Sequence, residues 1–297
     1  MAGSGAREVA ELRRRTGAGI LDCREALEAT SGDIEAAAQL LREQGKVSAG
    51  KRSDRQRSEG AVSVVVDSTE SSVPRGAIVA LECETDFVAM SAELVQLVDE
   101  LAAELAIGGE EALKGQLERV ERLAAISKEN VALGRFVRFE AAGSEGAAGS
   151  EGAAGSEAAG SEAAGRAGGG QESIIDSYLH IQNGRGVNAV LVELSGGTRE
   201  LAHDIAVHIA FSRPDYLARG DVPADVIEAE RATAEAIARN EGKPPQALGK
   251  IVDGRLNGWL KDRVLLEQPF VRDEKQTIAQ LLGSSTLVRY AQVVVGS

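Results

Sequence analysis

The first part of the chain carries apolar residues at helical spacing in three short segments separated by glycine-containing turns. The segments cover about residues 6–15, residues 20–29 and the stretch after Asp33, whose side chain is placed to cap the third helix. The pattern predicts a compact three-helix unit. A unit of about 40 residues buries little apolar surface, so we expect it to pack against the rest of the chain or a partner.

Strand-like runs and amphipathic helices follow in an order that occurs twice. Two strands, two helices and a further strand are predicted at 61–67, 77–84, 91–106, 111–127 and 131–140. Two strands joined by an Asn-Gly turn and then a helix are predicted at 173–182, 186–195 and 198–212. The repeated order of strand, strand and helix indicates two related subdomains of α+β class.

The remaining sequence predicts helices at about 224–240, 246–260 and 276–282 and a last strand at 285–295. Two other segments have the composition of linkers. Residues 46–60 carry five Lys and Arg without apolar periodicity, which leaves open a solvated hinge or a contact with an acidic partner.

Residues 141–170 repeat a unit rich in Ala, Gly, Ser and Glu and contain no Leu, Val, Ile or aromatic residue. This composition predicts a flexible insert that takes no part in a core. The domain organisation is therefore expected to be 1–45, 46–60, 61–140, 141–170 and 171–297.

Composition narrows the class of function. Asp and Glu number 46 against 33 Lys and Arg, a formal charge of -13. A phosphate backbone is held chiefly by Lys and Arg, so this surplus argues against general binding to nucleic acid or to an anionic membrane, although it allows a local basic patch. Aromatic residues are only 3%, which argues against stacking platforms for single-stranded bases.

The two cysteines, Cys23 and Cys83, form no CxxC pair, which fits a reducing compartment better than a disulfide framework or a zinc ribbon. The N-terminal residues lack the apolar stretch of a signal peptide, and no run approaches 18 apolar residues. We therefore expect a cytoplasmic protein.

The chain has none of the motifs GxxxxGK[ST], GxSxG, HExxH or GxGxxG, so we expect no catalytic residue, bound cofactor or metal. His203 and His208 are five positions apart, which separates them by about 140° around a helix and places them poorly for a shared metal. Cys23 lies inside a helix with no His in its segment, so a packed thiol is favoured over a nucleophile.

The sequence ECETDFVA, residues 82–89, is unusual because it crowds acidic side chains and one Phe where a strand should meet a helix. One interpretation is structural: Asp86 caps the following helix and Phe87 packs beneath it. The other is that the turn presents Phe87 for function. A metal site built from Glu82, Glu84 and Asp86 is a remote third interpretation.

Several segments resemble the translation elongation factor Ts family, in the same order and at compatible distances. They are LRRRTGAGILDCREAL, ECETDFVA, HIAFSRPDYL, DGRLNGWLKD and LLEQPFV, and the likeness extends over nearly all of the chain outside residues 141–170. The resemblance implies an N-terminal ubiquitin-associated-like domain of three helices and an α+β core of two related subdomains. It also implies a guanine nucleotide exchange factor for elongation factor Tu, which would bind Tu both with GDP and without nucleotide.

The resemblance also assigns site residues. Thr85, Asp86, Phe87 and Val88 match the segment implicated in dislodging Mg²⁺ from elongation factor Tu. The positions matching partner contacts are Arg13, Ile20, Leu21, Arg24 and His208, whereas Asp204 stands where many members have another histidine.

The family's coiled-coil protrusion is expected to be missing between Glu241 and Gly242, so a one-to-one complex with Tu is favoured over a coiled-coil dimer. The competing interpretation is an adaptor or chaperone that docks Tu without exchange activity.

Overall fold

The fold was obtained as a computed structural model, which describes residues 5–16, 18–50, 55–67, 73–141, 149–152 and 172–296. Helices and small antiparallel sheets make up the described parts, and the predicted α+β class with three N-terminal helices is confirmed. No helix in these parts is long and apolar enough to cross a membrane.

The N-terminal unit consists of α1 (Ala6–Thr16), α2 (Ile20–Ala29) and α3 (Ile34–Gly50). Its small core contains the buried side chains of Leu12, Cys23, Ala26, Leu27, Ala37 and Ala38. The Asp33 carboxylate caps α3, because its Oδ1 accepts from the backbone N–H groups of Glu35 and Ala36 at 2.9 and 3.0 Å. The helix continues to Gly50, so it extends into the segment treated above as a linker.

A four-stranded antiparallel sheet, here called the N sheet, follows in the order β1-β2-β3-β4. Its strands are β1 (Glu59–Asp67), β2 (Arg75–Cys83), β3 (Ala132–Glu140) and β4 (Gly149–Gly152). β4 lies in the insert expected to be a flexible segment, and it pairs with the edge of β3. Backbone pairing needs no apolar side chains, which is why composition did not indicate it. The rest of the insert beyond Ala141 lies outside the described residues.

Three helices connect β2 to β3: α4 (Asp86–Ala89), α5 (Ala92–Lys114) and α6 (Leu117–Ser127). Gly109, with φ 69°, interrupts α5 near the end of the first predicted helix. One face of the N sheet packs against α5 and α6 through a core that includes Leu81, Leu94, Leu101 and Leu105.

A second antiparallel sheet, here called the C sheet, has the order β5-β6-β9. Its strands are β5 (Ser173–Gln182), β6 (Arg185–Ser195) and β9 (Thr286–Val294). α7 (Arg199–Ser212) and α10 (Ile278–Leu282) cover its outer face, with buried side chains such as Val192, Ile205 and Ile278.

The inner faces of the two sheets pack against each other, so the molecule has four layers: helices, N sheet, C sheet and helices. The shared layer includes Ile78 and Val137 from one sheet and Leu191 and Val293 from the other. At Gly76 the sheets approach so closely that a Cβ would lie 2.7 Å from a methyl carbon of Leu191.

Two buried arginines add polar links between the sheets. Arg289 of β9 pairs with Glu193 at 2.7 Å and donates to the backbone oxygen of Glu140, on β3, at 2.8 Å. Arg185 of β6 pairs with Glu59 of β1 at 2.7 Å and donates to the oxygen of Gly60 at 2.6 Å. The two subdomains are therefore held in one relative orientation.

α8 (Ala224–Asn240) and α9 (Pro245–Arg263) form an antiparallel helical hairpin, joined by a short turn and linked by an Arg231–Asp253 pair at 2.8 Å. Both helices lie close to the bounds predicted for them, 224–240 and 246–260. A small strand pair, β7 (Pro269–Phe270) with β8 (Asp273–Thr277), was not predicted because its residues show no apolar alternation.

Candidate functional site

The turn after β2 presents one large aromatic side chain to solvent. Phe87 is 80% exposed, although Cys83, four positions before it, and Ala89, two positions after it, are fully buried. Val88 packs partly against the core of the N subdomain. The structural interpretation, in which Phe87 packs beneath the helix, is therefore wrong: the ring projects from a turn whose flanks are anchored.

Thr85, and not Asp86, is the N-cap of α4. The Thr85 backbone is extended, with φ -123° and ψ 154°, and its Oγ1 accepts from the N–H of Val88 at 3.4 Å. Asp86 is the first helical residue and its side chain is exposed beside Phe87. The carboxylate and the ring thus lie together on the outside of the turn.

The other two carboxylates of the motif pair with arginines of this chain. Glu82 lies 3.2 Å from Arg57, and Glu84 lies 3.5 Å from Arg55. In the parts of the chain that are described, no three His, Cys, Asp or Glu side chains group as a metal site would require. The arginines of the predicted basic linker that are described therefore bind acidic groups of the same molecule.

A second exposed apolar surface lies at the start of α2. Ile20 is 57% exposed and Leu21 is 69% exposed, although both begin a helix whose other face is packed. Arg13 is exposed on α1, and Arg24 forms an exposed pair with Glu28 at 3.1 Å. Four of the five predicted partner-binding residues are thus accessible.

The two surfaces are connected through the loop between α6 and β3. Lys128 of this loop pairs with Asp22 of α2 at 2.9 Å. The next residue, Glu129, accepts a hydrogen bond from the Thr85 hydroxyl at 2.6 Å. The start of α2 and the turn of Phe87 therefore belong to one connected region of the molecule.

His208 is the exception among the predicted contacts, because its side chain is completely buried. Its Nε2 donates to the Gln268 side chain at 2.9 Å, and its Nδ1 accepts from the backbone N–H of Val271 at 3.4 Å. As a direct partner contact this assignment needs correction: His208 joins α7 to the segment LLEQPFV in the interior.

Burial lowers the pKa of His208, and the hydrogen bond to Gln268 opposes this only in part. The neutral ring also satisfies both of its hydrogen-bonding partners, whereas a protonated Nδ1 would face the N–H of Val271. The folded state therefore holds His208 neutral.

Stability should consequently fall as the pH decreases below about 6.5, the pKa of His in an unfolded chain, because the unfolded state then takes up a proton that the folded state does not. We expect His208→Gln, which keeps a polar group, to flatten this dependence below about pH 6.5. Urea unfolding at several pH values measures it.

The other unusual residues near α7 are accounted for by contacts within the chain. Asp204 forms an ion pair with Arg272. His203 lies 3.9 Å from Asp176. Phe211, in contrast, is 80% exposed at the end of α7, and sequence reasoning missed it because helical periodicity does not separate an exposed Phe from a buried one.

Both cysteines are buried and free. Burial raises the pKa of the Cys83 thiol to about 12 and also raises the pKa of Cys23. Thiols with such pKa values carry almost no thiolate near neutral pH, so neither has the character of a nucleophile.

Comparison with known proteins identifies the family. A profile described as Elongation factor TS matches residues 164–297. Proteins named Elongation factor Ts are similar along the whole chain: that of Mycobacterium tuberculosis is 39% identical, that of Saccharopolyspora erythraea 37% and that of Thermobifida fusca 36%. Each alignment covers 100% of this chain and 99% of the relative. The chain therefore belongs to the elongation factor Ts family and is a translation elongation factor.

Proposed function

We propose that this protein binds elongation factor Tu in its GDP-bound state and speeds the release of GDP by disturbing the Mg²⁺ and phosphate site of Tu. The observation that carries the proposal is the 80% exposure of Phe87 on a turn whose flanking residues are buried. An aromatic ring with two side-chain torsions loses little entropy when it inserts into a partner, so it suits the displacement of packed side chains.

The chemistry requires only binding. GDP and Mg²⁺ hold each other in a nucleotide site because the metal neutralises phosphate charge, so a protein that disturbs the metal also weakens the nucleotide. Linkage is reciprocal: GDP or GTP that rebinds Tu weakens the complex and releases the exchange factor. No covalent step is needed, and we propose that the protein acts in the cytoplasm as an exchange factor rather than as an enzyme.

The start of α2 supplies the docking surface in this proposal. Ile20 and Leu21 offer an exposed apolar patch, and Arg13 and Arg24 offer positive charge near it. A complex of one copy of each protein needs both this patch and the turn of Phe87 to face Tu. The Lys128–Asp22 pair, which holds α2 near that turn, supports such an arrangement.

The test is the release of fluorescent GDP from purified cognate Tu, chased with excess unlabelled GDP. We expect release to accelerate with increasing concentration of this protein and to reach a plateau, and we expect the isolated protein to bind no GDP. If release stays unchanged while the two proteins form a complex, the proposal is wrong and the protein is an adaptor or chaperone for Tu.

A further inference from the structure

The loop between α6 and β3 supports the turn of Phe87 from outside. The carboxylate of Glu129, in this loop, accepts three hydrogen bonds from the turn. The Thr85 hydroxyl donates at 2.6 Å, the Thr85 N–H at 3.1 Å and the Glu84 N–H at 3.2 Å. A charged acceptor makes each of these bonds stronger than one to a neutral group.

The turn binds the loop in return. The Glu84 carboxylate accepts from the backbone N–H of Asn130 at 2.6 Å. The Asn130 side chain, which is largely buried, donates to the backbone oxygen of Arg55 at 2.8 Å. Turn and loop are thus joined by bonds in both directions, and we call this set the clasp: Glu84, Thr85, Glu129 and Asn130.

The turn needs this support because its own helix is very short. α4 has four residues, fewer than an isolated helix needs to be stable, and the capping bond from Val88 to Thr85 is long at 3.4 Å. Phe87 itself contributes little, because most of its ring is exposed. The direction of the ring therefore depends on how Glu84 and Thr85 are held.

We propose that Glu129 is a positioning residue for nucleotide exchange, which fixes the backbone of Thr85 and so aims Phe87 at the partner. This inference rests on the proposed function. Glu129 does not touch Tu in this scheme and acts only through the turn. Residues Glu129 and Thr85 are separated by 44 positions in the chain, so no local sequence motif indicates the link.

The test compares Glu129→Ala with Glu129→Gln. Gln can still accept the two backbone N–H bonds through its oxygen, and its amide can donate to the Thr85 hydroxyl, so we expect exchange to stay within about threefold of the parent. Ala removes all three bonds, and we expect the maximal rate of GDP release to fall about tenfold. This loss corresponds to roughly 1.4 kcal/mol. The protein concentration that gives half of the maximal rate of GDP release should change little.

A double-mutant cycle separates positioning from general loss of stability. If Glu129 acts through Phe87, Glu129→Ala should have almost no further effect on exchange in a Phe87→Ala background. The matched control is Glu100→Ala, which removes a carboxylate paired with Arg119 in the same subdomain and should leave exchange unchanged. An equal loss in both backgrounds, or a parental rate for Glu129→Ala, would overturn the inference.

A second readout does not need Tu. Amide hydrogen exchange in free Glu129→Ala should be faster for the segment from Glu84 to Met90 and unchanged in β2, whereas the Gln variant should resemble the parent. Unaltered protection of this segment would contradict the clasp. Should the parent protein fail to release GDP from Tu, the proposed function is wrong, and the hydrogen-exchange result still decides whether Glu129 holds the turn.

Discussion

Phe87→Ala should lower the maximal rate of GDP release at least about 30-fold and leave the free protein nearly as stable as before. The ring is 80% exposed, so its removal takes away little buried apolar surface, and surface substitutions of this kind usually change stability by less than about 0.5 kcal/mol. An aromatic side chain that is buried only in a complex stabilises the complex and not the free protein. Nucleotide release at saturating protein, together with a thermal melt, measures both effects.

Two control variants make the result for Phe87 specific. Phe270→Ala, at a buried position, should cost roughly 3–5 kcal/mol and lower the melting temperature strongly. Ile107→Ala removes an exposed apolar side chain far along α5 and should alter neither stability nor exchange. A Phe87→Ala protein that releases GDP at the parental rate, or that melts like Phe270→Ala, would show that the ring is not the exchange element.

The double substitution Ile20→Ala and Leu21→Ala should weaken the affinity for Tu by about 30-fold or more, since an apolar patch at the centre of an interface contributes at least about 2 kcal/mol. Both side chains are mostly exposed, so the N-terminal helices should remain folded. The plateau rate of GDP release should be kept at a high concentration of the variant. Titration of release against protein concentration separates the two parameters.

This expected pattern is the opposite of that for Phe87→Ala, in which the plateau falls and the half-maximal concentration changes less. A contact that acts only in docking alters the affinity, whereas one that acts on the nucleotide site alters the maximal rate. Circular dichroism of the double variant shows whether α1 to α3 persist. A lowered plateau with unchanged affinity would assign the start of α2 to the exchange step instead of docking.

Local sequence patterns predicted most of the helices and strands because the signals for these elements are local. α2 and α8 begin and end at the predicted residues, since an apolar stripe is bounded there by glycine or proline turns. The sequence interpretation named Asp86 as the cap of α4, whereas Thr85 occupies that position, because both residue types are good caps and only the backbone angles decide.

Such local patterns do not predict interactions between residues that are far apart in the chain. The burial of His208 depends on the position of Gln268, and the spacing of apolar residues along α7 does not indicate where Gln268 lies. The support of Thr85 by Glu129 likewise depends on how α6 returns to the N sheet. The sequence left open whether Phe87 is buried or exposed, and only the folded arrangement, in which its side chain is 80% exposed, decides between the two.

The shared layer between the two sheets also explains why the chain tolerates a long connection after β3. Ala141, directly after β3, and Ile175, in β5, are both buried in that layer, so folding must close the connection whatever its length. The entropy lost on closing a loop grows only with the logarithm of its length, and each doubling adds about 0.6 kcal/mol. Residues can therefore be gained or lost on either side of β4 at a small free-energy cost, while the contacts that join the sheets stay the same.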